Sequence, residues 1–228
     1  MGLYLNPGAE AFLEAVNSEI YVDKTGLIRY TNKVLKTQQK YVCVSRPRRF
    51  GKSIAANMIC AYYDRTVDGK AVFRDLQIAD SPDDREQQSQ YDVLRINMQE
   101  FLSRTHDIRT MISRLNQAVL WDVLGEYPDF RYFDKTDMIR TLADIYSQTK
   151  RPFIIVIDEW DCIFREYPHD KDAQRQYLDF LRDWLKDKTY IALAYMTGIL
   201  PIREYDTHFA LQMFTEFSIE VPNCQENC

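Results

Sequence analysis

Short runs of apolar residues occur at intervals along this chain, and longer segments of mixed polarity lie between them. Each run is rich in β-branched or aromatic residues and lacks strict alternation, which is typical of strands buried on both faces of a sheet. The pattern predicts strands at residues 41–45 (YVCVS), 92–98 (DVLRINM), 153–157 (FIIVI), 190–196 (YIALAYM) and 217–221 (FSIEV).

Helices are predicted between these strands, where apolar residues recur at helical spacing or follow a start signal. The predicted helices span residues 8–17, 26–36, 53–65, 105–124, 135–149 and 171–187. Strands that alternate with helices indicate an α/β fold with a mostly parallel sheet and helices on both faces. We expect a helical segment (1–40) packed on a core (41–222), then a short tail (223–228).

The first strand leads into SRPRRFGKS, whose last three residues match the end of a phosphate-binding loop. The standard pattern is G-x-x-x-x-G-K-[ST], and Arg46 stands where it has its first glycine. A strand before the loop and a helix after it are the context that such a loop requires. The alternative is a basic turn that caps a helix.

In the phosphate-loop interpretation, Gly51 lets the backbone approach the ligand, Lys52 reaches the β- and γ-phosphates, and the Ser53 hydroxyl binds Mg²⁺. Backbone N–H groups at the start of the helix point at the phosphates. The residues expected to contact the nucleotide here are Arg48, Arg49, Phe50, Gly51, Lys52, Ser53 and Ile54.

The sequence RPFIIVIDEWD has the Walker B pattern, an apolar strand followed by two acids. Asp158 is expected to hold Mg²⁺ and Glu159 to activate the attacking water as general base. Asp161 is interpreted as a helix cap. A nuclease-type metal cluster of these three acids is the alternative, but the preceding apolar strand and the upstream GKS favour Walker B.

Three further residues are candidates because of their position relative to these motifs. Thr197 ends the strand after Walker B, where such ATPases often place a polar sensor near the γ-phosphate. Arg203 follows and is interpreted mainly as a surface arginine. In related ATPases a segment before the first core helix covers the adenine, which makes Tyr21 or Val22 a candidate contact.

The charge and composition of the chain argue against some classes of protein. The chain has 228 residues, a net charge of −5 and a pI of about 5.3, which argues against a protein that coats nucleic acid. A local basic patch is supplied by Arg46, Arg48, Arg49 and Lys52. Five dispersed cysteines, no signal peptide and no apolar run of membrane length predict a cytoplasmic protein with reduced thiols.

Two other residue sets carry weak signals. Cys224 and Cys228 are a poor metal pair, because no histidine cluster accompanies them. The histidines His106, His169 and His208 are isolated, which favours surface or capping roles over catalysis.

Taken together, YVDKTGLI, SRPRRFGKS, IIVIDEWD and MTGILPI resemble the bacterial AAA-ATPase-like family, and the resemblance covers residues 4–221. It implies a P-loop NTPase fold of the ASCE/AAA type, with ATP and Mg²⁺ as ligands. It also implies that Arg46 is normal at its position, since the family loop typically reads RPRRFGKS. Members often carry a C-terminal nuclease-like domain of the PD-(D/E)xK type.

Because only PNCQENC follows FSIEV, we expect a nucleotide-binding core without a lid or nuclease-like domain. The main functional hypothesis is an ATPase that binds ATP·Mg²⁺ and hydrolyses it slowly. The alternative is a nucleotide-sensing regulatory module with little or no turnover. A protein or nucleic-acid partner would act through the missing C-terminal region, and the sequence does not indicate an oligomeric state.

Overall fold

A five-stranded parallel sheet forms the centre of the protein. The computed structural model describes residues 2–80, 82–105, 107–205 and 210–218. The strands are β1 (Tyr41–Ser45), β2 (Asp92–Asn97), β3 (Phe153–Asp158), β4 (Ile191–Gly198) and β5 (Thr215–Ser218), arranged in the order β2-β3-β4-β1-β5. The predicted parallel sheet is therefore confirmed, while residues 219–221 of the predicted last strand lie outside the described ranges.

Ten α-helices occur in the described part of the chain. They are α1 (Glu10–Val16), α2 (Gly26–Val34), α3 (Lys52–Tyr63), α4 (Gly69–Val72), α5 (Met98–Leu102), α6 (Ile108–Glu126), α7 (Met138–Thr149), α8 (Cys162–Glu166), α9 (Lys171–Leu185) and α10 (Ile202–Tyr205). The six predicted helices are present. The four that were not predicted, α4, α5, α8 and α10, have four or five residues each.

Aspartate caps set where three of the long helices begin. The side chains of Asp107, Asp137 and Asp170 accept hydrogen bonds from backbone N–H groups three residues later. Helices α6 and α7 therefore start later than the sequence pattern predicts, because the cap residue itself is not helical.

The core lies on both faces of the sheet, as predicted. Along β3, Phe153, Ile155 and Ile157 pack against the layer formed by α5 to α9. The alternate residues, Ile154 and Val156, pack against α1 to α3. All five side chains are fully buried, which explains why this strand reads as a continuous apolar run.

The N-terminal segment packs on this core. Phe12 of α1 and Ile28 of α2 are buried against the α3 side of the sheet. Before α1, Leu5 forms an antiparallel bridge with Leu94 of edge strand β2. Within the described ranges, none of the helices combines the length and the apolar character needed to cross a bilayer.

A buried carboxylate network lies at the end of the sheet where β2 begins. Asp92 accepts hydrogen bonds from Asn6 Nδ2 at 2.8 Å, Arg65 Nε at 2.6 Å, Tyr127 Oη at 2.5 Å and Arg151 Nη1 at 3.3 Å. Burial by itself raises the pKa of Asp92, but the hydrogen bonds from Asn6, Tyr127 and Arg65 outweigh it, and the pKa is lowered. The network ties the N-terminal segment to β2 and α6.

Candidate nucleotide-binding site

The loop between β1 and α3 turns sharply before the helix begins. Arg49 and Gly51 have positive φ angles of 70° and 73°. A Cβ atom on Gly51 would lie 2.9 Å from Lys24 Nζ, which is the flexible end of a long side chain, so the backbone conformation is what favours glycine there. The N–H groups at the start of α3, beginning at Lys52, follow directly from this turn, and N–H groups in this position are suited to bind an anion.

Lys52 is folded into the loop. Its Nζ donates to the backbone oxygens of Arg46 at 2.8 Å and Pro47 at 2.9 Å, and the side chain is largely buried. The backbone N–H of Arg46 donates to Gly198 O at 3.0 Å, which extends the β1–β4 pairing into the loop. Arg46 does not have a positive φ. A glycine is therefore not needed at this position.

Asp158 lies at the end of β3 and is only 1% exposed. The Thr197 hydroxyl donates to Asp158 Oδ1, and the Glu159 N–H donates to the same oxygen at 3.1 Å. The other oxygen, Oδ2, is 3.9 Å from Arg95 Nη2. Thr197 is fully buried and does not border the groove described below, so its contact in the described structure is with Asp158 and it fixes the orientation of that carboxylate.

Glu159 has a left-handed backbone conformation, with φ of 54°. Such a conformation is uncommon outside glycine and costs roughly 1–3 kcal/mol. Its side chain forms an ion pair with Arg165 Nη2. The Arg165 guanidinium also lies 3.3 Å from Asp161 Oδ2 and 3.4 Å from Gln99 Oε1. Arg165 was not predicted, because its position depends on the short helix α8.

Asp161 occupies the N-cap position of α8, as the sequence suggested, but its side chain makes no capping hydrogen bond. Its Oδ2 instead accepts from the backbone N–H groups of Ile199 at 3.0 Å and Leu200 at 2.9 Å, which joins the loop after β3 to the loop after β4. Among the residues that the structure describes, no group of three acids, histidines or cysteines is arranged to hold a metal.

A polar groove of about 580 Å³ separates the phosphate loop from the ends of β2 and β3. Predicted residues that border it are Arg48, Arg49, Gly51, Lys52, Ser53, Ile54 and Glu159. Asn97 and Gln99, which were not predicted, complete the wall on the β2 side. The loop, the lysine and the predicted general base therefore face one space.

A second groove of about 510 Å³ lies on the other side of the loop. Its walls are mainly apolar, formed by Leu27, Tyr30, Val44, Tyr195 and Phe217. Phe50, Lys24 and Arg46 border its end beside the phosphate loop. An apolar slot with positive charge at one end suits an aromatic base that carries an anionic tail.

Tyr21 does not border this second groove. Its ring packs edge-on against Phe12, with 6.3 Å between ring centroids, and its hydroxyl is buried. The neighbouring Val22 is 66% exposed. Within this segment, Lys24 and Leu27 are the side chains that border the groove. The adenine contact of Tyr21 or Val22 stays a prediction.

The model of the AAA-ATPase-like family, described as "Predicted AAA-ATPase", matches residues 8–208. The chain belongs to the AAA-ATPase-like family. A search of curated proteins found no match. Among solved structures, the chain resembles the Orc1 protein of Aeropyrum pernix, solved in complex with DNA, with a TM-score of 0.49 and 14% identity. The alignment covers 96% of this chain and 50% of that protein, so the chain spans about half of its length.

In this AAA-ATPase-like protein, Ser53 and Asp158 carry oxygen atoms of the kind that Mg²⁺ prefers; Ser53 borders the polar groove, whereas Asp158, which is 1% exposed, does not. Mg²⁺ prefers oxygen ligands and is usually bound through one or two protein groups, substrate phosphates and waters. Ser53 is exposed at the start of α3. One turn later on the same helix, the Asn57 Oδ1 atom is buried without a hydrogen-bond partner among the described residues, as expected beside a site that binds water or an ion.

In the AAA-ATPase-like protein, several residues that the sequence analysis considered for functional roles do not border either groove. Arg203 is exposed and borders a cleft beside β5. His169 is exposed, and His106 and His208 lie outside the described ranges, as do Cys224 and Cys228. None of the three described cysteines, Cys43, Cys60 and Cys162, forms a disulfide; all are buried, and burial raises the pKa of Cys60 and Cys162 to about 12.

Proposed function

We propose that the protein binds ATP·Mg²⁺ and hydrolyses it slowly. The observation that carries this proposal is the shared groove, where Lys52 and the start of α3 face Glu159. Lys52 would leave the loop carbonyls that it now contacts and bind the β- and γ-phosphates, together with backbone N–H groups. Glu159 would hold the attacking water and accept its proton.

Ser53 and Asp158 would hold Mg²⁺, which supplies positive charge that stabilises the transferred phosphoryl group. Thr197 keeps Asp158 in one orientation through its hydrogen bond. The apolar groove would take the adenine. The preference for ATP over other nucleotides rests on the family resemblance.

Phosphate release and nucleotide binding, measured on the same samples, test this proposal. Lys52→Ala should abolish nucleotide binding. Glu159→Gln should bind ATP and lose hydrolysis by roughly 10²- to 10⁴-fold, the usual contribution of a general base. Lys33→Ala and Glu14→Gln, at exposed positions of α2 and α1, are matched controls and should behave like the unaltered protein. Hydrolysis that survives in both site variants would refute the assignment.

A nucleotide sensor with little turnover is a second candidate, and the ion pair between Glu159 and Arg165 favours it. A base held by a guanidinium is not free to orient water. On this hypothesis Arg165→Ala should raise the basal hydrolysis rate, by roughly threefold for an ion pair of modest strength, with ATP affinity unchanged. A rate that falls would show instead that Arg165 supports catalysis.

A further inference from the structure

A second lysine contacts the phosphate loop. Lys24 Nζ donates to the backbone oxygen of Phe50 at 2.6 Å. It also lies 2.9 Å from the place that a Cβ atom would occupy on Gly51. Lys52 holds loop carbonyls through its own ammonium, so two ammonium groups converge on one short stretch of backbone.

The residues on either side of Lys24 fix its backbone. Asp23 accepts hydrogen bonds from Thr25 N at 2.8 Å, from Thr25 Oγ1 at 2.7 Å and from Gln77 N at 2.8 Å. Thr25 Oγ1 in turn accepts from Ile78 N at 3.1 Å. The pKa of Asp23 is lowered, because these hydrogen bonds outweigh the effect of burial. Asp23 and Thr25 thus clamp the start of α2 to the 3₁₀-helix Gln77–Asp80 and aim Lys24 at the loop.

Lys24 stands where the two parts of the site meet. It borders the apolar groove together with Leu27 and Tyr30, and it touches the loop at Phe50. A nucleotide with its base in that groove and its β-phosphate on the loop must pass its sugar and α-phosphate beside this ammonium. An ammonium has three donors, so it can bind a phosphate oxygen and keep the Phe50 carbonyl.

We propose that Lys24 binds the α-phosphate of the nucleotide and that Asp23 and Thr25 are its positioning residues. This inference rests on the proposed nucleotide site and adds a ligand that the phosphate-loop pattern does not contain. Within Asp23-Lys24-Thr25, the outer two residues hold the backbone and the middle one contacts the ligand.

The test measures the affinities of ATP, ADP and inorganic pyrophosphate, each with Mg²⁺, by calorimetry or competition. Lys24→Ala should weaken ATP and ADP to the same extent, by about tenfold, which corresponds to about 1.4 kcal/mol. Pyrophosphate, which occupies only the loop, should bind Lys24→Ala as it binds the unaltered protein. Lys33→Ala, which removes an exposed lysine from the same helix, should change none of the three affinities.

The outcomes separate this inference from the proposed function. If pyrophosphate binding falls as much as ATP binding, Lys24 only supports the loop and the inference is wrong. If Lys24→Ala binds ATP normally while Lys52→Ala does not, the nucleotide site stands and the α-phosphate contact is refuted. If the unaltered protein binds no nucleotide, both proposals fail together.

Discussion

Replacing Asp92 by asparagine should destabilise the protein strongly without touching the nucleotide site. The carboxylate is fully buried and accepts four hydrogen bonds, two of them from Arg65 and Arg151. An asparagine has the same shape but no charge, and its amide N–H₂ would face donors. Breaking a buried ion pair costs about 3–5 kcal/mol, and the partial exposure of both arginines favours about 3. The melting temperature should then fall by roughly 6–12 °C.

Urea unfolding followed by tryptophan fluorescence measures this change, since Trp160 and Trp184 are fully buried. Asp75→Asn is the matched control, because the Asp75 side chain is 81% exposed and its pair with Arg74 is a surface contact. It should change the free energy of unfolding by less than about 0.5 kcal/mol. A loss of less than about 1 kcal/mol in the free energy of unfolding for Asp92→Asn would refute the reasoning, because removing the charge of a buried carboxylate that accepts four hydrogen bonds should cost more than that.

The same network predicts a pH dependence with a definite sign. The pKa of Asp92 is lower in the folded protein than in the unfolded chain, where it is about 3.9. Its contribution to stability is therefore complete above the unfolded pKa and is lost as pH falls through the folded pKa. The stability difference between the unaltered protein and Asp92→Asn should be constant from about pH 5 to 8 and shrink below about pH 4.

Two further predictions concern the loops beside Asp158. Gly198→Ala should destabilise the protein by about 1–3 kcal/mol in urea unfolding, because its Cβ would lie 2.5 Å from Trp160 Nε1. The control Gly125→Ala should not destabilise the protein, because a Cβ there meets open space. Equal losses of stability in the two variants would contradict this reasoning. Thr197→Val keeps the shape of the side chain and removes its hydrogen bond to Asp158. ATP hydrolysis should then fall, while nucleotide affinity measured without Mg²⁺ stays the same. Unchanged hydrolysis with Mg²⁺ would show that Thr197 does not position Asp158.

The parallel sheet was predictable because its strands are buried on both faces and therefore read as apolar runs. The boundaries were less predictable where tertiary contacts decide them. β4 continues to Gly198 because Thr197 and Gly198 pair with Val44 and Ser45 of β1. Nothing in the local pattern of MTGILPI shows that pairing.

That the loop before α3 and Glu159 border one groove was predictable, because both follow parallel strands whose carboxyl ends lie at the same edge of the sheet. The contacts of Lys24 and Arg165 were not, since each reaches the site from an element whose position depends on the whole fold. Tyr21 illustrates the limit: the sequence offered its ring as an adenine contact, but in the structure that ring packs edge-on against Phe12. A motif identifies the segment, and packing decides which of its side chains reaches the ligand.

The strand order has a consequence for how the protein folds. β1 lies between β4 and β5, so Tyr41 pairs with Ala194 and not with any residue near it in the chain. Such long-range parallel pairing is slow to form, because a large loop must close before any contact compensates for the lost chain entropy. The strand that carries the phosphate loop is made early by the ribosome yet can be inserted only after β4 has emerged. We therefore expect the nucleotide site to be among the last parts of the molecule to assemble, with the apolar β1 exposed to aggregation until then.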